Sequence, residues 1–349
     1  MTQTRVAGPP AVADERIEHV APLRRLLVRP EAGSLLGAVL IFAFFFVMAD
    51  SFRKPESLAN VLYFSSTIGI MAVAVALLMI GGEFDLSAGV AVTTASLVAA
   101  MLAYQFTLNV WVGALVSLVV ALAIGFLNGY LVVRTGIPSF LITLGTFLML
   151  QGLNLAVTKL LTGAVATDDI SDMAGFGSAK RIFASEWDIG RVSVKITVLW
   201  WIVTVVFATW LLMRTRVGNW IFAAGGNADS ARAVGVPVTR VKIGLFMGVA
   251  FLAWFTGMHL LFSFNTVQSG EGVGKEFLYI IAAVIGGVLL TGGYGTAVGS
   301  AIGALIFGMT YSGIILAGWN PDWFKFFLGI MLLLATVMNA WVRNYAARR

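Results

Sequence analysis

Cysteine is absent from the 349-residue chain, and histidine occurs only twice. The missing cysteine excludes a disulfide framework, a thiolate metal site and a cysteine nucleophile, and it leaves the redox compartment undetermined. Charged residues are scarce at 11%, while hydrophobic residues make up 59%. With a mean hydropathy of +0.92, the chain has more apolar surface than one water-soluble core could bury. A lipid bilayer must therefore solvate the remainder.

Apolar runs along almost the whole sequence predict an all-α integral membrane protein with about ten transmembrane helices. They lie near 33–50, 59–81, 86–104, 108–133, 138–158, 194–213, 242–264, 277–290, 295–317 and 322–342. The 277–290 run is shorter than the roughly 20 helical residues that a bilayer core requires, so we expect a broken or half helix there.

The predicted organisation is an N-terminal segment over 1–32, a transmembrane domain over 33–342 and a tail over 343–349. The N-terminal segment is polar and lacks the apolar stretch of a cleaved signal, so we expect the first helix to be retained as an anchor. The most basic short connection is 214–242. Since cytoplasmic connections carry an excess of lysine and arginine, this connection and both termini are placed in the cytoplasm.

The remaining basic residues stand mostly singly between apolar runs and form no basic stripe. The net charge of +6 therefore does not indicate a nucleic-acid partner.

The cytoplasmic connection 214–242 is too polar to span a bilayer, yet it is more patterned than a linker. Either Asn227 or Asp229 can cap a short helix through Ala231 to Val234, and Gly235 followed by Pro237 can end it. One interpretation is a charged hairpin that only fixes topology. The caps, the paired glycines and the small residues instead favour a surface that contacts another protein.

The external connection 159–193 is long, polar and glycine-containing. Connections of this length are usually functional or disordered. Two interpretations stay open at this point: a mobile surface loop, or a docking site for a soluble partner that delivers substrate.

Two glycine-rich stretches lie within the apolar sequence, and both begin with Ile-Gly-Gly, at 80–82 and 285–287. Glycine lets helices approach closely or lets the chain break inside a bilayer. The match hints at an internal repeat but is too short to establish one. The predicted structural glycines are Gly81, Gly82, Gly89, Gly286, Gly287, Gly292, Gly293 and Gly295.

Polar residues at membrane depth are candidates for a translocation pathway. Glu83 and Asp85 are acidic residues deep in the apolar sequence, and such residues are functional candidates by default. Helix capping, with Asp85 capping the third helix, is the favoured alternative. The full candidate set is Glu83, Asp85, Asn128, Gln151, Asn154, Asn265 and Gln268. For the amides, a hydrogen bond between helices or a position in a loop is the simpler interpretation.

Several motifs together resemble the permease subunits of bacterial ATP-binding-cassette importers of the ribose type, in the second carbohydrate-uptake class. They are GGEFDLSAG at 81–89, IPSFLITLGT at 137–146, GGNADSARAVGVPV at 225–238 and GEGVGKEFLYIIAAVIGGVLLTGGYGT at 270–296. The resemblance covers about residues 59–342. Leu278 and Tyr294 depart from it, since family members often carry an acidic residue at the first position and a basic residue at the second.

The resemblance implies a multi-pass protein of the bacterial inner membrane that imports a small neutral sugar or polyol. It implies a second permease subunit, with a homodimer expected, ATPase subunits on the cytoplasmic side and an extracytoplasmic binding protein. The 225–238 segment would receive the force of ATP-driven closure. Its contact residues are expected to be Gly225, Gly226, Asn227, Ala231, Arg232, Gly235 and Val236.

The chain itself lacks the loop that cradles nucleotide phosphates. The nearest sequence, at 270–276, has Ser269 where the first glycine belongs and Glu276 where serine or threonine belongs. We therefore expect no catalytic residues, no metal site and no cofactor in this chain, with ATP and Mg²⁺ used by a partner ATPase.

An ion-gradient-driven secondary transporter of a small polar solute is the main alternative. Such transporters normally carry several carboxylates or histidines within their spans, and this chain has few. A membrane-embedded enzyme is disfavoured because no HExxH, GxSxG or comparable constellation occurs. A channel would leave the patterned cytoplasmic connection unexplained.

Overall fold

The computed structural model describes residues 30–347, with side chains for 31–337. The predicted N-terminal segment and the end of the predicted tail lie outside the described residues. The long helices are α1 (Pro30–Met48), α2 (Pro55–Ile80), α3 (Ala88–Tyr104), α4 (Val110–Thr135), α5 (Ser139–Thr162), α7 (Ile196–Arg214), α10 (Val238–Phe264), α12 (Ala297–Leu316) and α13 (Trp323–Ala347). The shorter helices are α6 (Phe176–Phe183), α8 (Arg216–Gly226), α9 (Ala228–Ala233) and α11 (Lys275–Ile285), and a 3₁₀ turn covers Asp50–Arg53.

Within the described residues, seven helices are long and apolar enough to cross a membrane: α1, α2, α4, α5, α7, α10 and α12. Shorter apolar helices are formed by Ala88–Tyr104 and, within α13, by Trp323–Val337. With α11, these account for the ten predicted apolar helices, so the all-α membrane fold is confirmed.

The core of the bundle lies around α2. This helix contacts α12, α11, α7 and α10, while α10 packs on α3 and α4 and α12 packs on α1. Close packing between α4 and α10 depends on glycine, because a Cβ on Gly129 would lie 2.8 Å from the Cα of Ile243. Helices α1, α5 and α7 expose most of their apolar residues at the outside of the bundle.

Helix α11 is shorter than predicted. The sequence predicted 277–290, but the helix runs from Lys275 to Ile285 and spans 11 residues. At 1.5 Å per residue it covers about 16 Å, roughly half of a bilayer core. The chain then turns at Gly286 and Gly287, so the expected half helix is confirmed.

The connection 159–193, which the sequence predicts to be external, is folded. It contains α6 and a two-stranded antiparallel hairpin, β1 (Glu186–Ile189) and β2 (Val192–Lys195). Three residues of α6, Phe176, Ala179 and Phe183, are buried against the bundle. We call residues 163–195 the outer segment.

Candidate functional site

Two consecutive short helices, α8 and α9, form the connection between α7 and α10, and we call residues 215–237 the coupling segment. Thr215 caps α8 by accepting a hydrogen bond from the backbone N–H of Gly218 at 3.1 Å. Asn227 caps α9 by accepting from the N–H of Ser230 at 2.8 Å. Of the two capping residues that the sequence allowed, Asn227 is therefore the one used.

The end of α9 also follows the sequence prediction. Gly235 has a φ of +85°, and the N–H of Val236 donates to the carbonyl of Ala231 at 3.0 Å. This is the geometry of a glycine-terminated helix, in which the last carbonyls are satisfied by residues beyond the stop. Helix α8, by contrast, was not predicted, because its sequence carries no apolar run long enough to span a membrane.

Arg232 lies on the exposed side of α9. Its guanidinium donates to Asp229 at 2.7 Å, and both side chains are exposed. Ala231 on the opposite side is buried, while Ala233, Val234 and Gly235 are exposed. Val234 is 80% exposed and the Arg232 side chain is 50% exposed, so the end of this helix presents an accessible apolar residue beside an arginine.

Glycines from three distant parts of the chain meet at the base of the coupling segment. Gly225 lies beside the last turn of α2, and a Cβ on Gly225 would clash with the carbonyl oxygen of Ile80. The N–H of Gly293 donates to that same carbonyl at 2.8 Å. A Cβ on Gly292 would lie 2.7 Å from the Gly225 carbonyl oxygen and 2.8 Å from the Cα of Gly82. We call this contact the glycine junction.

The glycine junction consists of backbone packed against backbone. Gly82 and Gly292 have φ angles of +84° and +78°, which are conformations that residues with a Cβ rarely adopt. Any side chain at Gly225 would separate the coupling segment from α2. The junction therefore joins the coupling segment directly to the end of α2 and to the loop after α11.

The two Ile-Gly-Gly sequences form the same helix stop. After α2, the N–H groups of 81, 82 and 83 donate to the carbonyls of 77, 79 and 78. After α11, the N–H groups of 286, 287 and 288 donate to those of 282, 284 and 283. Gly82 and Gly287 both have positive φ, at +84° and +91°. The likeness seen in the sequence thus corresponds to the same local structure, although it does not establish a repeat of larger units.

The first turns of α3 and α11 contact each other. The length of α11, about half the thickness of a bilayer core, separates this contact from the glycine junction. A Cβ on Gly89 would lie 2.5 Å from both the Gly272 carbonyl oxygen and the Glu276 carboxylate. Glu276 is 2% exposed, and its carboxylate accepts the N–H of Gly274 at 3.1 Å. A carboxylate at this position complements the positive ends of two helix dipoles.

Asp85 and Asn128 belong to one buried hydrogen-bonded network. Asp85 accepts from the N–H and hydroxyl of Ser87 at 2.8 and 2.6 Å. The Asn128 amide donates to the Ser87 hydroxyl at 3.0 Å and accepts from Thr146 at 2.6 Å. Ser87, rather than Asp85, occupies the N-cap position of α3, so the expectation that Asp85 caps this helix is wrong. The network joins the break before α3 to α4 and α5.

The other candidate pathway residues are dispersed. Glu83 pairs with Lys242 of α10, and Asn154 accepts from Thr94 at 3.0 Å. Gln151 is half-buried on α5, while Asn265 and Gln268 lie in the loop that precedes α11. Asn128 and Asn154 thus bond side chains of other segments, as the simpler interpretation of the amides expected, whereas Asp85 bonds Ser87 two residues further on.

The loop carrying Asn265 and Gln268 pairs with the outer segment. The N–H of Thr167 donates to the Val267 carbonyl at 3.0 Å, and that of Ser269 donates to Val165 at 2.9 Å. Nearby, the Ser171 hydroxyl and then its backbone N–H lower the pKa of the exposed Asp169 carboxyl. The outer segment therefore covers the loop that leads into α11.

Aromatic side chains hold the outer segment on α10. Phe183 stacks on Phe262 with ring centroids 5.7 Å apart and meets Trp254 edge to face at 5.8 Å. His259 Nδ1 donates to the Phe183 carbonyl at 2.7 Å, and the Thr197 hydroxyl lies 3.0 Å from the same ring. Sequence reasoning did not single out Phe183 or Glu276 as functional residues. An isolated aromatic residue in a polar connection was the available signal for the first, and a carboxylate in the first turn of a helix for the second.

The comparisons with known proteins each match most of the chain. The family described as branched-chain amino acid transport system / permease component matches residues 57–336. A fructose import permease protein from Rhizobium meliloti is 27% identical over 319 residues, covering 91% of this chain and 87% of its own.

The ribose import permease protein from Escherichia coli K12 is 29% identical, covering 88% of this chain and 93% of its own. A probable ABC transporter permease protein from the same strain is 31% identical, with shares of 88% and 89%. No solved structure matches the chain.

Proposed function

This chain belongs to the family of branched-chain amino acid transport system permease components, and from that premise we propose that its solute is a small neutral sugar or polyol. The chain is the permease subunit of an ABC-type importer and a multi-pass protein of the inner membrane. The sugar assignment rests on relatives named for ribose and fructose import. An amino acid, which the family description names, is the second candidate.

Electrostatics favour a neutral solute. The carboxylate of Glu83 is paired with Lys242, and that of Asp85 is bonded by Ser87. Glu276 is directed at a helix start. These buried charges are each engaged within the chain, and the other buried polar side chains of the described residues are hydroxyls and amides apart from His259, which bonds the Phe183 carbonyl. Such groups suit the hydroxyls of a sugar better than the separated charges of an amino acid.

The glycine junction is the single observation that carries the proposed coupling mechanism. ATP-driven closure of a partner ATPase pushes on α9 at Arg232, Ala233 and Val234. Because Gly225 rests on the Ile80 carbonyl and on Gly292, the displacement passes through backbone atoms to the ends of α2 and α11. ATP and Mg²⁺ are bound by the partner chain, and this chain serves as a transport subunit.

The other proposed partners are assigned to the two ends of the helix bundle. The ATPase subunits occupy the face formed by the coupling segment, which lies in the cytoplasm together with both termini. A binding protein docks on the outer segment and releases solute there. A second copy of the permease completes the pathway, because the candidate residues of one chain are dispersed: Gln151 and Asn154 lie on α5 and Asn128 lies on α4.

The test of coupling is Arg232→Glu in the reconstituted complex. The reversed charge should leave the complex assembled while reducing solute-stimulated ATP hydrolysis to the basal rate. Arg134→Glu, an exposed arginine at the end of α4 and the same face of the bundle, is the matched control and should retain stimulation. Normal stimulation in the Arg232 variant would refute the assignment of α9 as the contact.

Solute class and energy source are tested in proteoliposomes. Ribose, fructose, a polyol and leucine are supplied with their candidate binding proteins, with ATP present or absent. We expect ATP-dependent uptake of a sugar or polyol and none of leucine. Uptake by the purified chain alone under a proton or sodium gradient would instead support a secondary transporter.

A further inference from the structure

A groove of about 440 Å³ lies between α7 and α10, with one side of α2 as its floor. It extends from Trp200 to Leu211 along α7, and from Phe255 to Gly244 along the antiparallel α10. Each stretch covers twelve residues, and the eleven steps between its ends correspond to about 16 Å, close to the hydrocarbon depth of one leaflet. The groove is therefore long enough for an acyl chain, and one of its ends lies three residues before the end of α7 at the coupling segment.

The lining of the groove offers no free polar group. Trp200 and Thr204 are its two side chains with hydrogen-bonding atoms. The indole N–H of Trp200 donates to the Ile182 carbonyl at 2.9 Å, and the Thr204 hydroxyl donates to the Trp200 carbonyl at 2.8 Å. A site with no available donor or acceptor excludes a sugar and suits a hydrocarbon chain.

Two glycines widen the groove without serving a helix contact. Gly244 and Gly248 lie one turn apart on α10, and a Cβ on either would meet no atom within 4 Å. Glycine in membrane helices usually permits close packing, as Gly257 on the same helix does against Val92 and Ser96. At Gly244 and Gly248 the missing side chains leave open space instead.

Two arginines flank the end of the groove at the coupling segment. Arg214 follows Leu211 by three residues on α7, and Arg240 precedes Gly244 by four on α10, so each lies one turn beyond a lining residue and on its face. Both are exposed. Among the described residues, neither forms an ion pair with a carboxylate. Unpaired arginines beside an apolar slot at a membrane surface attract an anionic headgroup.

We infer that this groove binds an anionic phospholipid, with one acyl chain between α7 and α10 and the phosphate headgroup at Arg214 and Arg240. None of the candidate pathway residues lines the groove. It borders the glycine junction, because Leu77 and Leu245 both line the groove. The Leu77 carbonyl accepts the N–H of Gly81 at 3.1 Å, and the Leu245 side chain fills the space above Gly81. A bound acyl chain thus packs on residues that hold the end of α2.

The test uses the full chain in phosphatidylcholine nanodiscs that contain a small fraction of phosphatidylglycerol with a photoreactive group in its acyl chain. Mass spectrometry of the labelled peptides should place the label on α7 and α10 at the groove. Gly248→Leu should reduce this labelling about tenfold, since leucine removes space for at least two methylene groups. Gly152→Leu, at an equally open glycine on α5, should leave it unchanged.

The headgroup is tested separately. Arg214→Gln and Arg240→Gln should each reduce the preference for the phosphatidylglycerol probe over a phosphatidylcholine probe about fivefold. Competition on the unmodified chain provides a measurement that needs no variant: unlabelled phosphatidylglycerol should displace the probe and phosphatidylcholine should not. Equal labelling by both probes, equal competition, or crosslinks from the groove to a second copy of the chain would overturn the inference.

Discussion

At the coupling end of the bundle, three segments meet through glycine backbone atoms, whereas at the opposite end the outer segment is held by large aromatic side chains. Gly225 and Gly292 have no side chain that could change rotamer, so a displacement there must move whole helix ends. Phe183 contacts Phe262 and Trp254 through rings, which can separate while the backbone stays in place. In the proposed mechanism, the coupling end transmits force while the outer end opens and closes.

The largest expected effect is that of Gly225→Ala, which would separate the backbones that meet at the glycine junction. The added Cβ meets the Ile80 carbonyl oxygen and overpacks the junction, at a cost of about 3 kcal/mol. We expect coupled transport to fall about 100-fold or more. Gly145→Ala, on α5, is the control, because its Cβ would meet nothing within 4 Å and it lies outside the coupling segment. Both variants are measured by uptake and by thermal unfolding in detergent, and equal behaviour would remove the junction from the mechanism.

Glu83 directly follows Gly82 of the glycine junction, and its ion pair with Lys242 tests how a side-chain contact beside the junction behaves. Its side chains are 8% and 14% exposed, respectively. Lys242→Met should cost about 3–5 kcal/mol, because it leaves a buried carboxylate unpaired. The double variant Glu83→Met/Lys242→Met should recover most of that loss. If the double variant is as unstable as the single one, the pair is required for more than mutual neutralisation.

Removing the aromatic anchor of the outer end should loosen that end alone. Phe183→Ala deletes a fully packed ring and should cost about 3 kcal/mol, raising amide hydrogen exchange across residues 163–195. ATP hydrolysis stimulated through α9 should persist. Ile182→Ala removes a neighbour that is 44% exposed and should change little. Increased exchange in α8 and α9 as well would mean that the two ends are not separable.

Local signals in the sequence were sufficient for local structure. Asn227 as a helix cap, Gly235 as a helix stop and the short α11 each depend on residues within one or two turns, and each is confirmed. The glycine junction could not be predicted from such local signals. Gly82, Gly225 and Gly292 are far apart in the chain, and a glycine has no side chain whose chemistry would indicate its contact partner. The fold of the outer segment was missed because burial of Phe183 depends on rings contributed by α10.

The smallest expected effect concerns the polar network that lies between the two ends. Asn128 is 1% exposed and bonds Ser87 and Thr146 at 3.0 and 2.6 Å, which ties α4 to the break before α3. Hydrogen bonds between membrane helices average well below 2 kcal/mol, so Asn128→Ala should destabilise the chain by only about 1 kcal/mol. Thr135→Ala is the control, because this exposed threonine bonds only the Leu131 carbonyl of its own helix and the N–H of Ile137, two residues further on. If Asn128→Ala changes the sugar concentration at half-maximal uptake while the thermal unfolding temperature hardly moves, Asn128 contacts solute during transport. A change in stability alone would leave it as a link between α3 and α4, and the pathway would then be sought on α5 at Gln151.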